Sequence, residues 1–227
     1  MSIFNKLFGN GDEPNPDGEV SNEQFIAHYN AKQQALEGIL GTSADIIGHA
    51  VIPFGIIGGM TIGSVDMHYF PNHITGTGFT TMELIKPDGK GPKPNKKGTY
   101  ELVAFTKQPF NDINQDPPTP FNIMERRICD TFTQIAGAAQ EKAFNPHEIC
   151  MVKGDDGKNK YIIFDVYKEF KIGSSKHHLL LCIEIFEEEL VTVENFGHKG
   201  FVEMLKMINI YPYSDLDRNW VGVKKNL

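Results

Sequence analysis

Apolar residues along the chain recur with two different periods. Phe25, Ile26, Tyr29, Leu36, Ile39 and Leu40 share one face of a helix. Ser21 stands ahead of them as a cap with Gln24 three residues on, and Gly41 follows, so a helix is predicted between Ser21 and Gly41. SVDMHYF then alternates: Val65, Met67 and Tyr69 face one way, and Asp66, His68 and Phe70 the other, which is strand periodicity. HITGTGFTTM and TYELVAFT (99–106) predict two more strands, paired as an antiparallel hairpin. The loop between them, KPDGKGPKPNKKG (86–98), is rich in lysine, proline and glycine. Its composition predicts a mobile segment that folding does not require. Thr119 caps a helix that starts at Pro120 and sets Phe121, Met124, Ile128, Phe132, Ile135 and Ala139 on one side. ICMV and YIIFDVY flank the turn DDGKNK, and HHLLLCIEIF is apolar enough for a central strand, with His177 and His178 at its exposed start. GHKGFVEMLKMI (197–208) predicts a last helix with Phe201, Met204, Leu205 and Ile208 inward. No internal repeat is visible. The fold class is α+β: one domain over 21–227, a mostly antiparallel mixed β-sheet packed against several helices, after a flexible segment 1–20.

Composition narrows the function classes. The chain has 227 residues, 40% hydrophobic and 22% charged, enough for a buried core in one domain. The net charge of −7 disfavours sequence-independent binding to nucleic acid or to an anionic membrane, both of which need clustered Lys and Arg. Cys129, Cys150 and Cys182 are far apart and odd in number, which predicts reduced, packed thiols. MSIFNKLFGN lacks the apolar core and cleavage site of a signal peptide. These two features together predict a cytoplasmic location. Ile46 to Val65 carries no charge, but its glycines and Pro53 favour buried strands and turns over a spanning helix.

Recognisable chemistry is sparse. GTGFTT supplies only the first two glycines of a dinucleotide loop, so Gly76 and Gly78 call for a local backbone reason such as a bulge. GxSxG and Walker A sequences are absent. PHEIC brings His147, Glu148 and Cys150 together without the P-C-x-x-C of a zinc deaminase. Asp66, His68 and His73 match no standard metal spacing, so neither metal nor cofactor is expected. A catalytic group assembled only in three dimensions, from His68, Asp66 and Glu101, is the enzymatic alternative.

The order of several stretches resembles the suppressor-of-fused (SUFU) domain family in its bacterial form. SVDMHYF, ITGTGFTTM and TYELVAF are similar to three successive strand signatures of that family. LLLCIEIFEEEL, HKGFVEML and SDLDR are similar to its later apolar strand with a Glu-rich turn, its glycine-containing helix and its acidic–arginine ending. The similarity spans about residues 46–218, and the lysine loop and the glycine-rich stretch 53–63 depart from it. On the resemblance, Gly78, Glu101, Gly200 and Arg218 are structural signature positions. It implies a non-enzymatic module that binds proteins: the eukaryotic relative sequesters a transcription factor, and many bacterial relatives look like immunity proteins that neutralise polymorphic toxins.

Three functions follow as expectations: a protein-binding module of that kind, an enzyme built on the sheet face, or a structural or regulatory subunit. For the first, acidic side chains suit a basic toxin domain as partner. Glu184, Glu187, Glu188, Glu189 and Glu194 are the densest acidic group, with Glu184 inward and the other four predicted to be exposed and partner-facing. A solvated helix start is the plainer reading of the same run.

Overall fold

A computed structural model describes residues 20–48, 55–57, 60–88, 91–111, 116–154 and 157–222. The segment 1–19 and parts of the uncharged stretch 46–65 lie outside the described residues. Three helices and nine strands follow one another along them. Helix α1 (Asn22–Leu40) opens with the capping box, Gln24 N donating to Ser21 Oγ and Ser21 N to Gln24 Oε1, both at 3.2 Å. Strands β1 (Ile47–Gly48), β2 (Gly55–Ile57), β3 (Met60–Ile62), β4 (Met67–Phe70), β5 (Thr77–Thr80) and β6 (Tyr100–Thr106) come next. Helix α2 (Pro120–Ala138) starts from Thr119, as its Pro and capping pattern predict. Strands β7 (Ile149–Lys153), β8 (Asn159–Ile172) and β9 (Ser175–Ile185) then lead through a 3₁₀ turn, Glu187–Glu189, into α3 (Leu190–Met207).

Seven strands form one sheet in the order β1-β4-β5-β6-β9-β8-β7, and β2 and β3 form a separate antiparallel pair. Pairing within the large sheet is antiparallel except between β6 and β9. The fold is therefore α+β with a mixed, mostly antiparallel sheet. Both faces are covered. On one, α2 packs Phe121, Ile128, Phe132 and Ile135 against Met67, Tyr69, Leu102, Ala104, Phe164, Leu180 and Cys182. On the other, Leu36 and Leu40 of α1 and Phe201, Val202 and Leu205 of α3 meet Phe70, Val103, Phe105, Leu179, Leu181 and Ile183. Two covered faces explain why β4, β5 and β6 are buried at every residue although their sequences alternate.

Parallel pairing of β6 with β9 runs from Tyr100–His178 to Val103–Leu181. Beyond it the chain segment Tyr213–Asp215 bridges the two strands. Ser214 N donates to Phe105 O at 2.8 Å, and Ser214 Oγ donates to Cys182 O at 2.9 Å. Asp215 accepts from Thr106 Oγ1 at 2.5 Å and Lys107 N at 2.9 Å. The SDLDR ending is thus built into the sheet.

Several expectations need correction. The last helix is longer than 197–208 and breaks at Gly197, where φ is +72°. Ile208 is exposed and Met204 only half-buried, while Val202 takes the inward place. His178 is buried, not at an exposed strand start, because β6 and β8 flank it. Burial pushes its imidazole down to about 4. The described part of the loop 86–98 docks on the body. Asn95 is buried and its amide donates to Phe144 O at 2.8 Å, Pro92 is buried, and Lys93 N donates to Ala139 O at 2.7 Å. Composition missed this because the docking runs through backbone amides and one asparagine side chain, which a lysine-, proline- and glycine-rich composition does not reveal. Asn95→Ala is expected to lower stability by about 1–3 kcal/mol, the cost of leaving a buried carbonyl unpaired. Urea unfolding measures it, and an unchanged midpoint contradicts it.

Candidate functional site

Glu101 of β6 lies at the centre of the polar groups under α1. Its side chain is completely buried, and so is that of Lys32 from α1, at 0% and 1% exposure. Glu101 Oε1 accepts from Lys32 Nζ at 2.6 Å and Ile85 N at 2.9 Å. Oε2 accepts from Thr81 Oγ1 at 2.6 Å and Leu84 N at 3.2 Å. Lys32 Nζ also donates to Met82 O at 2.7 Å and Ile85 O at 2.5 Å. All three ammonium protons and both carboxylate oxygens are therefore occupied. The pair fastens α1 to β6 and holds the strap 81–85 between them. Lys32 falls on the apolar side of α1 because a long lysine stem packs like an apolar chain when its charge is met.

The residues of the enzymatic alternative divide around this pair. His68, 3% exposed, points to α1 and shares a 2.8 Å hydrogen bond through Nε2 with Tyr29 Oη. Asp66 N donates to Glu83 Oε1 at 3.3 Å. Burial first, and then the neighbouring Asp66 charge, raise the Glu83 carboxyl to about 7. Tyr29 is pushed up chiefly by burial. The fold thus brings together Tyr29, Asp66, His68 and Glu83; the sequence places Tyr29 only on the apolar face of α1 and does not single out Glu83. His73 lies elsewhere, 2.6 Å from Tyr167 Oη through Nε2. His147 pairs with Asp165 at 3.3 Å, and Glu148 binds Asn145. Among the described residues no group of three or more His, Cys, Asp or Glu could hold a metal ion. All three cysteines are free thiols.

The glycines of β5 answer to close approach. Gly76 has φ +96°, and a Cβ there would fall 2.0 Å from Thr106 O. A Cβ on Gly78 would fall 2.9 Å from the ring of Phe105, its cross-strand partner. No phosphate is needed to explain either. Gly200 is exposed, and a Cβ there would lie 3.4 Å from Phe196 Cβ.

The acidic run splits. Glu184 is inward, as expected, and Arg127 of α2 grips both its oxygens. Glu187, Glu188 and Glu194 are exposed. Glu189 is a correction: it is 0% exposed, because the chain end folds over it. Its carboxylate accepts from both terminal nitrogens of Arg218, from Val221 N at 2.7 Å and from Phe186 N at 3.0 Å. The Arg218 guanidinium also sits 4.8 Å over the Phe186 ring. The clamp sets Trp220 at the surface, 41% exposed, with its ring so close to Gly222 that a Cβ there would fall 1.8 Å away. Val221 O accepts from Thr192 Oγ1, and Phe196, one helical turn further along α3, is 54% exposed. Trp220, beside the Val221 that rests on Thr192, and Phe196 are both exposed at the first half of α3, and Glu187, Glu188 and Glu194 are exposed on the adjoining stretch of chain. Neither aromatic was singled out in the sequence, where a lone Trp near a chain end carries no pattern.

No family model matches the chain, and no curated protein matches it. Among the described residues no helix is long and apolar enough to cross a membrane.

The raised Glu83 carboxyl makes a pH prediction. A carboxyl protonated more readily in the folded than in the unfolded chain stabilises the fold at low pH, and the benefit is lost as pH rises through about 7. Glu83→Gln is therefore expected to gain on the parent between pH 5 and pH 8 in urea midpoints measured side by side. A difference that stays constant across that range contradicts the assignment.

Proposed function

We propose that the chain is a non-enzymatic protein-binding module that holds a basic partner through the face formed by Trp220, Phe196, Glu187, Glu188 and Glu194. One observation carries the reading: two large aromatic side chains stand exposed at 41% and 54%, and a buried Arg218–Glu189 clamp fixes the segment that presents one of them. Exposed tryptophan is costly to leave in water and is a frequent anchor of protein interfaces. A carboxylate rim suits a basic partner and agrees with the net charge of −7. The resemblance to suppressor-of-fused domains points the same way and supplies the finer form of the proposal, a cytoplasmic immunity protein whose partner is a basic toxin domain. Glu189 has no part in direct contact and serves as the clamp.

A second reading, an enzyme using Asp66, His68 and Glu83, is favoured by the Glu83 carboxyl near 7, a value suited to proton transfer. Against it, His68 is 3% exposed beneath α1, and Glu101 has both oxygens occupied by structural donors.

Surface plasmon resonance against a panel of inactivated basic nuclease toxin domains tests the proposal. At least one is expected to bind. Changing Glu187, Glu188 and Glu194 together to glutamine should slow its association about tenfold at low salt, with little change in dissociation. Trp220→Ala should instead speed dissociation. A panel with no binder, or a triple variant with unchanged kinetics at every salt concentration, overturns the proposal.

A further inference from the structure

At the far end of β9 from the acidic face lies a cleft of about 300 Å³ lined by His28, Ile85, Lys86, Thr99, Ser175 and His177, together with Pro87, Gly91 and Ile172. Four parts of the chain converge there: α1, the strap that follows the Lys32–Glu101 pair, the start of β6 and the turn joining β8 to β9. None of the lining residues is acidic, in a protein whose net charge is −7.

Two groups of the cleft, Lys86 and His177, can donate to a ligand. His28 Nε2 lies 3.0 Å from Ile85 O, and a carbonyl only accepts, so Nε2 carries the proton. His177 Nδ1 lies 2.6 Å from Thr99 Oγ1. When the hydroxyl donates to that nitrogen, the neutral ring keeps its proton on Nε2, which has no partner among the described residues. Lys86 is exposed and has no ion pair among the described residues. Burial first, and then the charges of Lys32 and His28 against the opposing charge of Glu101, hold the His177 imidazole below its ordinary range, so the ring is neutral. Ile85, Pro87 and Ile172 supply apolar wall beside these donors.

We infer that this cleft binds a small organic anion, a molecule with a carboxylate or phosphate head and a short apolar body. The head would lie between Lys86 and His177, where an ammonium and a ring N–H meet an anion with charge-assisted hydrogen bonds. The body would lie along Ile85 and Ile172. The volume is at the small end of ligand sites, which limits the ligand to a compact metabolite. The site is separate from the protein-binding face, since the length of β9, roughly 30 Å for a strand of this size, lies between them.

Imidazole NMR of the whole chain tests the inference, with inorganic phosphate and butyrate as probes and sodium chloride at matched ionic strength as control. The resonances of His177 and His28 are expected to shift saturably with phosphate or butyrate and not with chloride. The stronger of the two probes identifies the head group. Lys86→Ala removes an exposed side chain, so it is expected to keep the melting temperature and weaken binding about tenfold, the size of one charged hydrogen bond. Absence of a saturable shift with both probes at tens of millimolar overturns the inference. So does binding that Lys86→Ala leaves unchanged.

Discussion

A charge pair with no access to water, Lys32 with Glu101, fixes how the layers of this protein meet. Removing two charges from water is costly, and the cost is offset only where every donor and acceptor is met. Here each is met, by Met82 O, Ile85 O, Thr81 Oγ1 and the amides of Leu84 and Ile85. A single interaction therefore sets the height of α1 above the sheet, the course of the strap 81–85 and the position of β6. The features around it inherit that geometry. His68 reaches Tyr29 because α1 is held close, and the cleft beside His28 is bordered by Ile85 at the end of the strap.

The same device recurs at smaller scale. Glu184 is gripped by Arg127, Glu189 by Arg218, and Asp215 by Thr106 and Lys107. Each ties together segments distant in sequence, and each removes an acidic residue from the surface. The carboxylates of Glu187, Glu188 and Glu194 stay in water before and at the start of α3. In this protein a run of glutamates is divided between an internal fastening and an external rim, with the division falling between Glu188 and Glu189.

Local signals in the sequence were reliable guides to elements. Ser21 with Gln24 and Thr119 with Pro120 each specify a helix through neighbours, and both helices form as read, while the alternation from Val65 to Phe70 gives a strand only from Met67. Long-range partners left no such trace. Lys32 meets Glu101 across 69 positions, Asn95 meets Phe144 across 49 and Glu189 meets Arg218 across 29. A lysine on an apolar helical face reads as a solvated residue until its carboxylate is located, and an asparagine in a lysine-rich loop reads as loop. The acidic rim was visible as a run of Glu, but the burial of Glu189 and the exposure of Trp220 depend on how the chain end folds back. Glu101 is buried and Arg218 half-buried, and each holds its place through a partner far away in the sequence.

The dependence of the fold on the central pair is measured most directly by a double-mutant cycle. Urea unfolding of the parent, Lys32→Met, Glu101→Gln and the double variant gives the coupling between the two side chains. Each single variant leaves a buried charge or a set of inward-pointing donors unmatched and should lose about 3–5 kcal/mol. The double variant should lose clearly less than the sum, with a coupling of about 2–3 kcal/mol. Losses that simply add, to within about 0.5 kcal/mol, would mean that the two residues act independently and that the pair does not organise the fold.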